Sequence, residues 1–124
     1  MFLINMTAYL ASDEQREMGV IDVEQHISHA IREKLSFTFC PSVEEMTLRA
    51  NELADIAVAL CEKYKADGVL VYAKTFFMHI LISAISSRGI APYVTYATKV
   101  TVVGREGNIN RKYKHANLVR AVAI

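Results

Sequence analysis

The 124-residue chain has five glycines and two prolines, and nowhere do the glycines gather into a phosphate-cradling loop. Neither G-x-G-x-x-G nor a Walker A pattern occurs, which argues against a nucleoside triphosphate or a dinucleotide cofactor. Cysteine is equally sparse. Cys40 and Cys61 lie next to or inside apolar segments and belong to no C-x-x-C or Cys/His cluster, so both read as reduced core thiols, and a chain of this length needs no disulfide framework. The four histidines, His26, His29, His79 and His115, form no H-x-x-x-H or H-E-x-x-H pair, so no metal is expected. The first three read as structural or surface groups, with His79 a core or interface residue of an apolar segment. Ser86-Ser87 and the cysteines have no companion base in the sequence, which leaves nucleophilic catalysis without a candidate set. The longest apolar run, Phe76 to Ile82, is interrupted by His79 and is far shorter than the ~20 residues of a membrane span. Phe2 to Met6 is too short for the apolar core of a signal peptide and no basic stretch precedes it. A cytoplasmic protein with no membrane partner is expected.

What is present is apolar residue, at 52% with a mean hydropathy of +0.20. That is high for a chain of one-domain size, where much surface must stay polar, and it predicts that part of the surface meets a second copy in a homodimer. The charge is uneven. Residues 99–124 carry six basic side chains against Glu106, a net +5, whereas residues 1–98 carry eight against twelve, a net −4. A local anion site fits this split better than the uniformly basic surface of a protein that coats long nucleic acid; the alternative is a solvated basic face without a partner.

The patterning predicts an α/β chain. Phe2 to Met6 reads as a central strand, Ser12-Asp13-Glu14-Gln15 as a helix start, Val20 to Val23 as a second strand and Glu24 to Lys34 as a helix. Leu35 to Phe39 alternates like a strand, though Pro41 makes an extended connection equally suitable. Ser42 to Glu45 has the form of a capping box, opening a helix to about Lys65 that Asp67-Gly68 ends. Val69 to Tyr72 is a buried strand, Thr75 a cap for the apolar helix Phe76 to Ser87, and Gly89 its left-handed terminator. Ile90 to Tyr96 adds a strand. Val100 to Val103 and Asn110 to Val122, around the turn Gly104 to Asn108, form a C-terminal antiparallel β-hairpin. The order of helices and strands generates a small Rossmann-like, mostly parallel sheet flanked by helices, in a single domain over residues 1–124.

In an open parallel sheet ligands lie beyond the carboxyl ends of the strands. That rule selects Asn5 to Tyr9, Tyr72 to Thr75 and Tyr96 to Lys99. Thr7, Tyr9, Lys74, Thr75, Thr98 and Lys99 are the candidate ligand contacts, with Arg111, Lys112 and His115 of the hairpin as phosphate neighbours. Lys74 and Thr75 at a helix start would present an ammonium, a hydroxyl and free backbone N–H groups to an anion. His115 follows Arg111, Lys112 and Lys114 and suits a phosphate contact or a general acid.

Collinear motifs carry a resemblance. Asn5-Met6-Thr7 with Ser12-Asp13-Glu14-Gln15, Gly19-Val20 and Asp22 resembles the "N-(L/M)-T-Q-H-x-A-T-P-E-Q … G-V-x-D" opening of small proteins from prophage and CRISPR neighbourhoods. Leu35 to Pro41, Arg49-Ala50, Phe76-Phe77-Met78, Gly89-Ile90 with Pro92, Tyr96-Ala97-Thr98, Gly107 and Lys112 to His115 keep that family's order. Those proteins look like the small CRISPR-associated ring-nuclease-like group, related to the Rossmann-like (CARF-like) domains that sense cyclic oligoadenylate. The resemblance implies a cyclic oligonucleotide ligand bound across a dimer and either cleaved without a metal or sequestered as a phage anti-defence measure, with no cofactor. The chain departs from the family where Tyr72-Ala73-Lys74-Thr75 replaces a Gly-Gly-Ala-Pro turn, Tyr9 an early histidine and Lys99 an arginine. Losing two glycines closes a near backbone approach to phosphate, which the Lys74 charge would replace. The competing expectation is an interaction protein that inhibits a defence or host protein, favoured by the methionines and the apolar helix.

Overall fold

A computed structural model describes residues 1–103 and 109–121, with side chains described for all of these except 96–103 and 109–116. The turn expected at Gly104 to Asn108 lies outside the described residues. The elements in order are β1 (Leu3–Met6), α1 (Asp13–Glu17), β2 (Val20–Ile21), α2 (Gln25–Leu35), α3 (Val43–Tyr64), β3 (Gly68–Val71), α4 (Thr75–Ser87), β4 (Ala91–Val103) and β5 (Ile109–Arg120). They build a five-stranded sheet in the order β2-β1-β3-β4-β5. Every neighbouring pair is parallel except β4 and β5. β1 is an interior strand as expected, but the middle place belongs to β3.

Alternate strand residues sort the core onto two faces. Ile4, Met6, Val69 and Val71 meet Ile31 and Leu35 of α2, Leu53, Ala57 and Leu60 of α3, and Phe77, Leu81 and Ile85 of α4. Leu3 and Leu70 face the other way, onto Ala11, Val20, Tyr93 and Leu118. This division follows from the connections. β1 passes to β2 on one side and β3 passes to β4 on the other, so crossovers of a single hand must set α1 and α4 on opposite faces. The second face is thinly covered, because α1 has only five residues.

The helix boundaries have local causes. Ser12 accepts from Gln15 N–H while the Gln15 side chain accepts from Ser12 N–H, a complete capping box. Ser42 likewise accepts from Glu45 N–H and starts α3, whose Glu45 carboxylate turns to Arg49 at 2.9 Å instead of closing the box. Lys65, at φ +52°, ends α3, two residues before the expected Asp67-Gly68 stop. Gly68 acts instead through its missing side chain: a Cβ there would lie 2.3 Å from Ala91 O, so glycine lets β3 pass close to β4. Lys74, not Thr75, is the N-cap of α4, without a side-chain cap bond, and Gly89 at φ +77° follows its end.

Of the two readings open for Leu35 to Phe39, the extended connection holds: Leu35 closes α2 and the segment contains no strand. It is a connection held by Phe37, whose ring packs edge-on against Phe76 at 5.5 Å and Phe77 at 5.1 Å, with the Arg49 guanidinium 4.5 Å above it. The strand expected at Ile90 to Tyr96 and the first hairpin strand are one element, β4, because no glycine or proline interrupts Tyr93 to Val103. And α4 does not need a second copy to cover it: Phe77, Leu81 and Ile85 are buried, Met78, Ile80 and Ile82 are half-buried against the same core, and Phe76 alone of its large apolar side chains is exposed. His79 is exposed rather than internal. Among the described residues no helix is long and apolar enough to cross a membrane.

Candidate functional site

Strand order reverses between β1 and β3, and a cleft of about 410 Å³ opens there, lined by Thr7, Tyr9, Leu10, Ser12, Gln15, Val71, Tyr72 and Thr95. Its size falls within the ~300–1,000 Å³ of small-ligand sites. Tyr9 and Tyr72 stand at its mouth, 71% and 63% exposed.

The loop that forms one wall is shaped by Asn5, only 5% exposed at the end of β1. Its amide nitrogen donates to Tyr9 O at 2.8 Å and to Asp22 Oδ1 at 2.7 Å. Its oxygen accepts from the N–H and the hydroxyl of Thr7 at 3.0 and 2.7 Å. Asp22 also accepts from Ala11 N–H at 3.0 Å and from Arg16 at 3.0 Å. Burial by itself would raise the Asp22 carboxyl, but the hydrogen bonds from Asn5, Ala11 and Arg16 outweigh it and hold the group below its ordinary value of 3.8. All four hydrogen-bonding positions of the Asn5 amide are therefore used within the loop. The Thr7 hydroxyl, expected as a ligand contact, is within reach of Asn5 Oδ1, Tyr9 O and Tyr9 N–H and serves first to hold the loop.

The floor is made by Gln15 of α1 and Thr95 of β4, eighty residues apart and joined by a 2.8 Å hydrogen bond. Neither stood out as a site residue in the sequence. Gln15 signalled only a helix cap, and Thr95 reaches the cleft through the alignment of β4 with β3.

Of the expected contacts, the structure brings Thr7 and Tyr9 together with Tyr72. Lys74 and Thr75 lie beyond Tyr72, in a neighbouring hollow of about 600 Å³ shared with Ala73, Phe76 and Met78. Lys74 also borders an apolar groove of similar volume lined by Phe37, Phe39, Cys40, Pro41, Met46 and Phe76. Cys40 is thus an exposed thiol, contrary to its expected core position, because the connection that carries it is held by Phe37 and not by itself. Cys61 is buried as expected.

Thr98, Lys99, Arg111, Lys112 and His115 have side chains outside the described set, but their backbone register is defined. β4 and β5 continue past the carboxyl end of β3 as a two-stranded ribbon, which pairs Ala97 with His115, Thr98 with Lys114, Lys99 with Tyr113, Val100 with Lys112 and Thr101 with Arg111. The ribbon leaves the sheet at the cleft, since Thr95 is the last described β4 side chain lining it. Among the described residues no three His, Cys, Asp or Glu side chains converge as a metal ion would require.

No family model matches the chain, and no curated protein or solved structure shows significant similarity to it.

Proposed function

We propose that this chain is a Rossmann-like binder of a cyclic oligonucleotide signal, with the cleft between β1 and β3 as its base site and the basic ribbon as its phosphate site. The observation that carries this reading is the placement of two exposed tyrosines at the mouth of a cleft where strand order reverses. Base-on-aromatic stacking is worth about 1–3 kcal/mol per base, and the ribbon that starts at the same place brings Lys99, Arg111, Lys112 and His115 into the chain's basic segment. Lys99 lies four residues beyond Thr95, roughly 13 Å along an extended strand. A ligand that touches both is larger than a mononucleotide. The motif resemblance to ring-nuclease-like proteins of prophage and CRISPR neighbourhoods points the same way.

In such a ligand a ribose 2′-oxygen held in line with the adjacent phosphorus forms a P–O2′ bond as the P–O5′ bond breaks, leaving a 2′,3′-cyclic phosphate and a 5′-hydroxyl, with the 2′ proton given up and one taken by the departing 5′-oxygen. The protein's part is to fix that alignment and to stabilise the developing charge, for which Lys74, Lys99 and His115 are the available groups. A ring shared between two copies, in the cytoplasm of a bacterium or of a phage-infected cell, completes the proposal.

The test is thermal shift or calorimetry of the full chain against cyclic di-, tri-, tetra- and hexanucleotides, followed by chromatography of each ligand. A saturating ring at about a hundred times its Kd stabilises the chain by about 2.7 kcal/mol, and its survival or cleavage distinguishes a sponge from a nuclease. No response across the panel overturns the reading.

A second reading, an inhibitor that docks on another protein, is favoured by the groove beside Lys74, where Phe39 is 85% exposed. Of the methionines, Met46 lines this groove and Met1 is exposed, whereas Met6 is buried and Met78 is half-buried against the core. Lys99→Glu, on the ribbon and not among the groove residues, weakens ring binding under the first reading and leaves a protein partner's grip largely intact under the second, whereas Phe39→Asp in the groove does the reverse.

A further inference from the structure

Asn5 and Gln15 are the two buried polar side chains among the described residues. Asn5 uses its whole amide within the β1 loop. Gln15, 8% exposed on the lining of the cleft, does not. Its Oε1 accepts from Ser12 N–H at 2.9 Å, and one of its amino protons goes to Thr95 Oγ1 at 2.8 Å. A backbone N–H can only donate, so the capping box fixes which end of the amide is oxygen. The second amino proton has no acceptor among the described residues, and its one use is to donate to a ligand. Thr95 differs in kind. Its oxygen has a second lone pair and its hydroxyl proton rotates, so it meets a donor or an acceptor equally well. The floor therefore makes one fixed demand, an acceptor for Gln15, and leaves the position beside it open to either sense. None of the described residues lining the cleft is charged, which suits a neutral base better than a phosphate.

Resting on the nucleotide-binding reading, we infer that the cleft takes either purine: Gln15 requires an acceptor of the base, and Thr95 makes the site tolerant of what lies next to it. Adenine presents N7 beside its N6 amino group, and guanine presents N7 beside O6. Gln15 donates to N7 in both. Thr95 accepts from the N6 amino group of adenine and donates to O6 of guanine, so neither base leaves a polar atom of the floor unpaired. Stacking on Tyr9 and Tyr72 does not separate the two either, because it depends on the area of the base and not on its edge. The ligand class is thus wider than the adenine rings that the motif resemblance implies, and it includes guanine rings and rings that carry both purines.

The experiment measures Kd values of the full chain for cyclic di-, tri- and tetranucleotides carrying adenine, guanine or both, using the unaltered protein, Thr95→Asp and Gln15→Glu. A floor that read the base edge would separate adenine from guanine by at least about fivefold. The expected result is a smaller difference than that between rings of one size, whichever purine they carry. Thr95→Asp still accepts from Gln15 but has no proton to give, so it opposes O6 and creates a preference for adenine of at least about fivefold. Gln15→Glu retains an oxygen for Ser12 N–H, and so the cap, while removing the amino donor; it weakens rings of both purines with a melting temperature close to that of the parent. If the unaltered protein separates the purines by about fivefold or more, if Thr95→Asp leaves their ratio unchanged, or if Gln15→Glu leaves ring affinity unchanged, the tolerant floor is overturned while nucleotide binding stands. If no ring of either base binds, both are overturned.

Discussion

Replacing Asn5 by alanine removes the centre of the β1 loop, and its cost can be worked from the bonds it makes. Four hydrogen bonds are lost, one of them to the Asp22 carboxylate. Neutral bonds contribute ~1 kcal/mol each and a bond to a charged group ~1.5–3 kcal/mol. The Thr7 hydroxyl still reaches Tyr9 O, and Asp22 keeps Ala11 N–H and Arg16, so part of the loss is recovered. The net expectation is about 3 kcal/mol. In urea titration this appears as a lower midpoint at unchanged slope, and in melting as a fall of roughly 10 °C or more. A loss below about 1 kcal/mol refutes the argument that the amide holds the loop. The acid limb gives a second reading of the same network. Because the folded Asp22 carboxyl lies below its ordinary value, it contributes stability above pH 3.8 that is lost as pH falls through the folded value. Without Asn5 one lowering bond disappears while burial remains, so the acid loss begins at a higher pH than in the parent.

Phe37→Ala removes the ring that ties the connection before α3 to Phe76, Phe77 and Arg49, and a loss of about 2–3 kcal/mol by chemical denaturation is expected; an effect within about 0.5 kcal/mol sinks the anchoring role. Gly68→Ala drives a methyl carbon to 2.3 Å from Ala91 O, so a stability loss above about 2 kcal/mol is expected, and an alanine tolerated without change would show that β3 and β4 do not approach this closely. With a thiol reagent at about pH 8, Cys40 reacts at once and Cys61 only on unfolding, because burial first and the Asp67 charge second push the Cys61 thiol up. Two rapidly reacting thiols in the native protein would contradict the described packing.

Local chemistry made much of this fold legible. Ser12 with Gln15, and Ser42 with Glu45, are three apart and announce helix starts wherever they sit. The spacing of Leu53, Ala57 and Leu60 can only be one face of a helix, and Val69 to Val71 only a covered strand. What stayed hidden depends on partners distant in the chain. Nothing near Gly68 shows that Ala91 will lie against it, so a glycine after a helix reads as a stop. Phe37 alternates with Leu35 like a strand residue, yet its place is set by Phe76 and Phe77. The cysteines look alike in sequence and differ only because Cys61 lies on the inner side of α3. The site divides in the same way. Tyr9 and Tyr72 follow from the rule that strand ends gather ligands, whereas Gln15 and Thr95 meet only after the sheet has aligned β4 beside β3.

The pairing of β1 with β3 sets an order of events during synthesis. Leu3 pairs with Gly68 and Met6 with Val71, so β1, once it has left the ribosome, waits for sixty-five further residues. At ~5–20 residues per second that interval is roughly 3–13 s. Meanwhile its only other neighbour, β2, meets it at two positions, too few to hold a parallel pair. Closing so long a loop precedes any reward from the sheet, which makes the joining of β1 to β3 the natural slow step. Until it is complete Leu3, Ile4 and Met6 remain uncovered, and the nascent chain is most open to chaperones and to aggregation.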